Sequence, residues 1–427
     1  MTFILRFIYT IFMVLAIPLF IVRLLWKSIN LKAYRQRLAE RLGYNNNFSV
    51  APGGFLIHAV SVGEVVLTTP LIKALKTQFP TLHITLTTTT PTGSQRVTQT
   101  YGDSVAHMYM PFDLPWTIEA LYQKVRPCCL IIMETEIWPH LINMGQRHNI
   151  PVVIANGRIS DSSIKRYIWV KYFIAKVLKQ VTFVTAQSRL DADRFIQLGL
   201  PKEKLQITGN LKFDAQTNEA QTQIGKQWKA DLPGRLVWVA ASTHPGEEEQ
   251  VLHAFKQVQH KFPQCLLILI PRHPERFNDV AQLLNTQQIN FIRRTDNIPC
   301  TEQTAVLLGD TMGEMGVYYA MADIAYVGGS LVPIGGHNLL EPAVLGLPSL
   351  TGPYYNNFKD ITLLLQKAAA LSVVQNADDL AQEVISLLES AEKRAQHGSN
   401  ALQVVLQNRG AIQKLLNVIK EQTHCPA

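Results

Sequence analysis

Val327-Gly328-Gly329-Ser330-Leu331-Val332-Pro333-Ile334-Gly335-Gly336-His337-Asn338-Leu339-Leu340-Glu341-Pro342-Ala343 decides the fold. An apolar run over 324–327 ends in two glycines. A second glycine pair, a His-Asn step and a carboxylate opening a helical pattern follow. Glycines let a backbone approach a bound anion, and a helix N-terminus offers it free N–H groups. Glu341 is placed to accept hydrogen bonds from a ribose, as an acid does in dinucleotide folds. A single glycine pair reads as a tight strand-to-helix turn; two pairs around a polar cluster read as a nucleotide site.

Outward from this stretch, strand and helix patterns alternate. Apolar runs at 55–60, 128–133, 151–155 and 182–186, with an alternating segment at 82–89, are separated by helical spacing. A hydrophilic patch over 214–227 interrupts the series. It restarts with strands at 236–241, 265–271, 305–308 and 324–327, and helices at 247–262 and 274–284. Such a series predicts doubly wound parallel sheets, hence an α/β chain of two Rossmann-like domains with a cleft between them. The 427 residues, 47% hydrophobic and 17% charged, suffice for two cores.

The first residues differ in kind. From Phe7 to Trp26 the chain is almost wholly apolar, long enough to cross a bilayer as a helix. Lys27, Lys32, Arg35, Arg37 and Arg41 follow it, which places the remainder in the cytoplasm. An interfacial helix lying flat fits the same residues. The expected division is a membrane anchor over 1–27, an N-terminal domain over 28–211 and a C-terminal domain over 212–427. A net charge of +8 suits anionic lipid or phosphorylated substrates. No RNA-binding signature supports nucleic acid. The five cysteines include no C-x-x-C pair and read as reduced cytosolic thiols.

Unusual residues fall at the predicted carboxyl ends of strands, where open parallel sheets bind ligands. Glu64, in His58-Ala59-Val60-Ser61-Val62-Gly63-Glu64, can take a proton from an attacking hydroxyl or merely complement a helix dipole. Glu134 and Glu136 can hold a basic group and steady charge, or cap a helix before Trp138-Pro139. Arg158 can grip a phosphate or sit in a plain turn. Lys212 can neutralise a departing phosphate or be a solvated linker lysine. Pro271-Arg272-His273-Pro274-Glu275-Arg276 suits a nucleotide phosphate, and Gly309-Asp310-Thr311-Met312-Gly313-Glu314 offers a second anion cradle or an N-cap. Asp191 and Asp193 lie in a helical pattern and are expected to face solvent. No cluster has zinc spacing, and G-x-S-x-G and a Walker lysine loop are missing.

Taken together, HAVSVGE, METEIWP, NGRISD, TGNLKFD, PRHPERF, GDTMGE and VGGSLVPIGGHNLLEPA, in that order behind the apolar N-terminus, resemble the 3-deoxy-D-manno-octulosonic acid (Kdo) transferases of lipid A glycosylation. Leu339 departs from the proline usual there. The resemblance implies a GT-B fold and inverting transfer of Kdo from CMP-Kdo to the lipid A precursor, lipid IVA, in lipopolysaccharide biosynthesis. It implies the inner membrane as a partner and no cofactor or metal. By position it implies Glu64 as general base, with Glu134 and Lys212 stabilising the transition state. The implied CMP-binding set is Pro271, Arg272, Met312, Gly313, Glu314, Asn338, Leu339, Leu340 and Glu341. A single-phosphate leaving group needs less charge covered than a diphosphate, in keeping with the lack of metal ligands. A nucleotide-sugar epimerase on the same plan, or a non-catalytic membrane adaptor, are the rival readings.

Overall fold

A computed structural model describes residues 3–44, 48, 50–214, 218–423 and 425. The asparagine run 45–47 lies outside the described residues. The chain forms two compact units, Met1–Ala215 with Arg409–Ala427, and Gln216–Asn408.

The first unit carries seven parallel strands: β1 (Phe55–His58), β2 (Ile84–Thr88), β3 (Ala106–Tyr109), β4 (Cys129–Met133), β5 (Val152–Gly157), β6 (Phe183–Ala186) and β7 (Leu205–Ile207). Their order is β3-β2-β1-β4-β5-β6-β7. β1 lies between β2 and β4, with Phe55 in register with Ile84 and Cys129. Because helices cover both faces, the central strands are buried throughout and read as unbroken apolar runs. The chain winds one way from β1 to β3 and the other way from β4 to β7, so the direction reverses between β1 and β4.

The second unit repeats the plan with β8 (Val237–Thr243), β9 (Leu266–Pro271), β10 (Phe291–Arg293), β11 (Val306–Leu308), β12 (Ile324–Val327), β13 (Ser349–Thr351) and β14 (Leu371–Val373). The order is β10-β11-β9-β8-β12-β13-β14, parallel throughout. Here the winding reverses between β8 and β12. Trp238, Phe255 and Tyr326 fill its core.

The expected domain over 212–427 is not continuous in space. Helix Ala411–Gln422 returns to the first unit and buries Leu415 and Ile419 among Ile57, Leu71 and Met133. Asp214 ties it there, its carboxylate accepting the N–H of Gly410 and of Ile412, each at 2.6 Å. The same return brings Cys425 beside Cys128, with Cα atoms 5.5 Å apart and the two sulfurs bonded. The reading of all five cysteines as reduced thiols is corrected for this pair. Cys129, Cys265 and Cys300 are free.

The N-terminal helix, Phe3–Asn30, contains a 26-residue stretch, Ile4–Ile29, of mean hydropathy 2.4, long and apolar enough to cross a membrane. Three of its polar side chains bond to the rest of the first unit. Arg6 donates to Asn143 (2.7 Å), Tyr9 donates to Asp113 (2.9 Å), and Thr10 meets His140 (3.0 Å). Phe20 stacks on Phe112. Of the arginines that follow, Arg41 is buried and lies over the Tyr109 ring, so it serves the fold and not a headgroup.

Replacing Leu415, wholly buried, by Ala is expected to cost about 2–5 kcal/mol. Urea unfolding followed by a probe in the first unit measures it; a change within error would show that the returning helix is not part of that core.

Candidate functional site

In the first unit the chemistry gathers where the winding reverses, at the carboxyl ends of β1 and β4. Ser61 caps the helix Val62–Gln78. Glu64, third in that helix, bends back over its start: Val60 N–H donates to Oε2 (2.8 Å) and Ser61 Oγ to Oε1 (2.9 Å). Glu64 thus sits in the first turn, where a carboxylate complements the helix dipole. The carboxyl is also 8% exposed, and burial pushes its pKa up to about 7. The Val60 amide and Ser61 pull it down, while the charges of Glu134 and Glu136 add to the rise. A carboxylate titrating near neutrality is poised to take a proton.

Glu134 follows β4 with φ +56, a left-handed backbone that a non-glycine residue adopts only where its surroundings hold it. Burial raises its pKa, and the charges of Lys212 and Arg158 oppose that rise. Lys212 and Arg158 therefore serve this carboxyl. Lys212 is placed by a chain of contacts. Asn156, φ +58 at the end of β5, accepts the Leu211 N–H (3.0 Å), and Asn210 accepts the Lys212 N–H (3.0 Å). Arg158 N–H donates to Thr135 Oγ1 (3.0 Å), linking the ends of β4 and β5. Glu136 is turned aside, taking the Trp138 indole N–H at 2.8 Å. Asp191 does not face solvent as expected. It is buried, accepts the Ile159 N–H (2.9 Å) and braces the loop that carries Arg158, whereas Asp193 pairs with Arg189 at the surface.

In the second unit, Pro271 and Arg272 end β9, Met312, Gly313 and Glu314 follow β11, and Asn338, Leu339, Leu340 and Glu341 follow β12. All lie on the carboxyl edge. The Leu339 and Leu340 side chains are buried, so these two offer a ligand their backbone alone. The Leu339 departure thus falls on a packed side chain. Glu314 is engaged by Arg294 (3.0 Å) and Thr311. Asn338 donates to Glu341 Oε1 (3.0 Å) and accepts the N–H of Leu340 (3.1 Å), the first residue of the short helix Leu340–Val344.

The first glycine pair differs from its reading as an anion cradle. Its amides are already committed: Gly328 N–H donates to the Ala241 carbonyl (2.8 Å), Gly329 N–H to Glu247 Oε2 (2.7 Å), and the following Ser330 and Leu331 N–H to Oε1 (3.0 and 2.9 Å). Tyr326 hydroxyl donates to Oε1 (2.5 Å) and His244 N–H to Oε2 (3.2 Å). The turn does gather donors around an anion, but the anion is the protein's own carboxylate. A Cβ at Gly328 would stand 2.8 Å from that oxygen, which accounts for the glycine. Sequence reasoning passed over Glu247 because it sits in an acidic run, Glu247-Glu248-Glu249, that reads as an ordinary first helical turn.

A family model described as 3-deoxy-D-manno-octulosonic-acid transferase (kdotransferase) matches residues 36–215. The chain is 45% identical over 421 residues to the 3-deoxy-D-manno-octulosonic acid transferase of Haemophilus influenzae, covering 97% of this chain and 98% of that one. Among solved structures it is similar in fold to a UDP-GlcNAc 2-epimerase from Neisseria meningitidis (TM-score 0.58, 14% identity, 86% of this chain and 100% of that one). It is likewise similar to a glycosyltransferase from Rickettsia africae (TM-score 0.55, 15% identity, 87% and 99%).

Replacing Glu247 by Ala takes the acceptor from four buried amides, those of His244, Gly329, Ser330 and Leu331, and is expected to destabilise the second unit by about 3 kcal/mol or more. Denaturant unfolding with a probe in that unit checks this; wild-type stability would mean that the turn does not depend on the carboxylate.

Proposed function

This chain belongs to the 3-deoxy-D-manno-octulosonic acid (Kdo) transferase family of GT-B glycosyltransferases, and on that premise we propose that Glu64 is the general base of an inverting transfer from CMP-Kdo to the lipid A precursor lipid IVA. The observation that carries this is the place and titration of Glu64: at the reversal between β1 and β4, buried, with a pKa raised to about 7.

The chemistry follows from the residues. Ionised Glu64 accepts the proton of an acceptor hydroxyl as its oxygen attacks the anomeric carbon of Kdo. The bond from that carbon to the CMP phosphate breaks, and its electron pair leaves with CMP. Lys212 and Arg158, drawn to Glu134, keep positive charge beside the reacting carboxyl, and Glu134 steadies the cationic sugar ring. In the second unit, Arg272, the backbone of Met312-Gly313-Glu314 and the segment Asn338-Leu339-Leu340-Glu341 hold CMP and answer its developing charge. The first unit is thus read as the acceptor-binding domain and the second as the donor-binding domain.

The N-terminal helix brings this chemistry to a lipid-embedded acceptor. We place the protein at the inner membrane with both units on the cytoplasmic side, in keeping with Lys27, Lys32 and Arg35 after the apolar stretch. The fold likeness to an epimerase extends to fold alone, and family membership speaks against a non-catalytic adaptor.

Glu64→Gln is expected to lower transfer from CMP-Kdo to lipid IVA by about 10²–10⁴-fold, with CMP binding unchanged. The wild-type rate should rise with pH through about 7 and then level, because only the ionised carboxyl accepts the proton. Mass analysis of the lipid product and calorimetry with CMP read the two halves; a fully active variant would remove Glu64 from the mechanism. Deleting residues 1–30 should move the protein out of the membrane fraction on sedimentation, and retention there would locate the lipid contact elsewhere.

A further inference from the structure

Between β8 and β12, where the second sheet reverses its winding, two histidines lie side by side. His244 follows β8 after Ser242, whose φ of +59 turns the chain sharply over the edge. His337 comes from the second glycine turn after β12. Their Nε2 atoms are 2.8 Å apart, and the rings are nearly parallel with centroids 5.1 Å apart. His273, after β9, meets His244 edge-on at 5.2 Å. Gly329, φ +66, lies beneath: a Cβ there would stand 2.8 Å from His337 and 3.4 Å from His244. The pair is therefore seated directly on the turn that Glu247 organises.

One hydrogen joins two Nε2 atoms. The ring that accepts it carries its own proton on Nδ1, and the ring that donates it has a bare Nδ1. One added proton makes both Nδ1 atoms donors and the pair cationic. The groups around it set when that happens. Burial lowers both histidines, His337 to about 4, and Arg272 and His273 lower them further, while Glu247 behind His244 acts the other way. Glu275 lies 3.9 Å from His273, and the charge of Arg272 is felt by Glu341. Three imidazoles and a guanidinium that disfavour one another's charge have been brought to one edge, and an arriving anion relieves that mutual cost. Two histidines that only packed together would not need Arg272 and His273 beside them.

Resting on the donor assignment above, we propose that the His244–His337 pair, with Arg272, is a protonatable clamp for an oxyanion of the donor, either the nucleotide phosphate or the carboxylate of the sugar acid. The pair takes up a proton as the anion binds and gives it back when the anion leaves.

Calorimetry of the full chain in detergent with CMP, cytidine and free Kdo, between pH 6 and 8.5, tests this. Uptake of one proton makes anion affinity fall as pH rises, by up to about tenfold per pH unit between the pKa of the free and of the occupied pair. A fall confined to CMP identifies the phosphate; a fall with Kdo identifies the carboxylate. His337→Gln should bind that anion about tenfold more weakly and lose the pH dependence, with cytidine binding unchanged. His244→Gln, which breaks the same bond from the other ring, should do likewise. Wild-type anion affinity that is indifferent to pH overturns the clamp without recourse to any variant. So does a folded variant that keeps both affinity and pH dependence. If the wild type binds CMP with no pH effect, the clamp alone falls; if it binds no CMP at all, the donor assignment falls with it.

Discussion

Every strand in both sheets runs the same way, and the rest of the molecule depends on that constraint. A parallel strand must pass its chain to a helix or loop at its carboxyl end, so each unit collects its loops, its helix N-termini and their free N–H groups at one edge. Where the winding reverses, neighbouring strands send their loops apart and leave a crevice. Glu64 and Glu134 flank one such crevice, and His244 and His337 flank the other.

The carboxylates at these edges show how environment divides one functional group among different tasks. Glu247 is fully buried and surrounded by donated hydrogens, an internal carboxyl that shapes a turn. Glu64 has fewer donors and two acidic neighbours, which leaves it near the point of titration. Asp214 holds a helix end, and Asp191 braces a loop. Removing the partner groups, not the acid itself, is what distinguishes a base from a strut.

Much of this was legible in the residues. The central strands β4, β8, β9 and β12 carry apolar runs whose burial on both faces demands such composition. The short strands β3, β7, β10, β13 and β14 escaped notice, because three or four residues at or near a sheet edge carry little periodicity. Glu64 stood out by its place after a strand, and its position in the first helical turn, the other reading, is also what the structure has. Glu247 and the His244–His337 contact were hidden, since each joins segments more than eighty residues apart. The Cys128–Cys425 bond was hidden for the same reason, at a separation of 297 residues. Local spacing reports helices and strands; it is silent on which distant loops share an edge.

The returning helix has a consequence for how the molecule is made. Ala411–Gln422 is synthesised after the whole second unit, yet Leu415 and Ile419 complete a core begun with β1. The N-terminal half therefore emerges with a strip of greasy surface uncovered and must wait through synthesis of the whole second half before it can seal. Nascent chains stalled before residue 409 should be the species that chaperones hold, and the second unit, whose chain is continuous, is free to fold first.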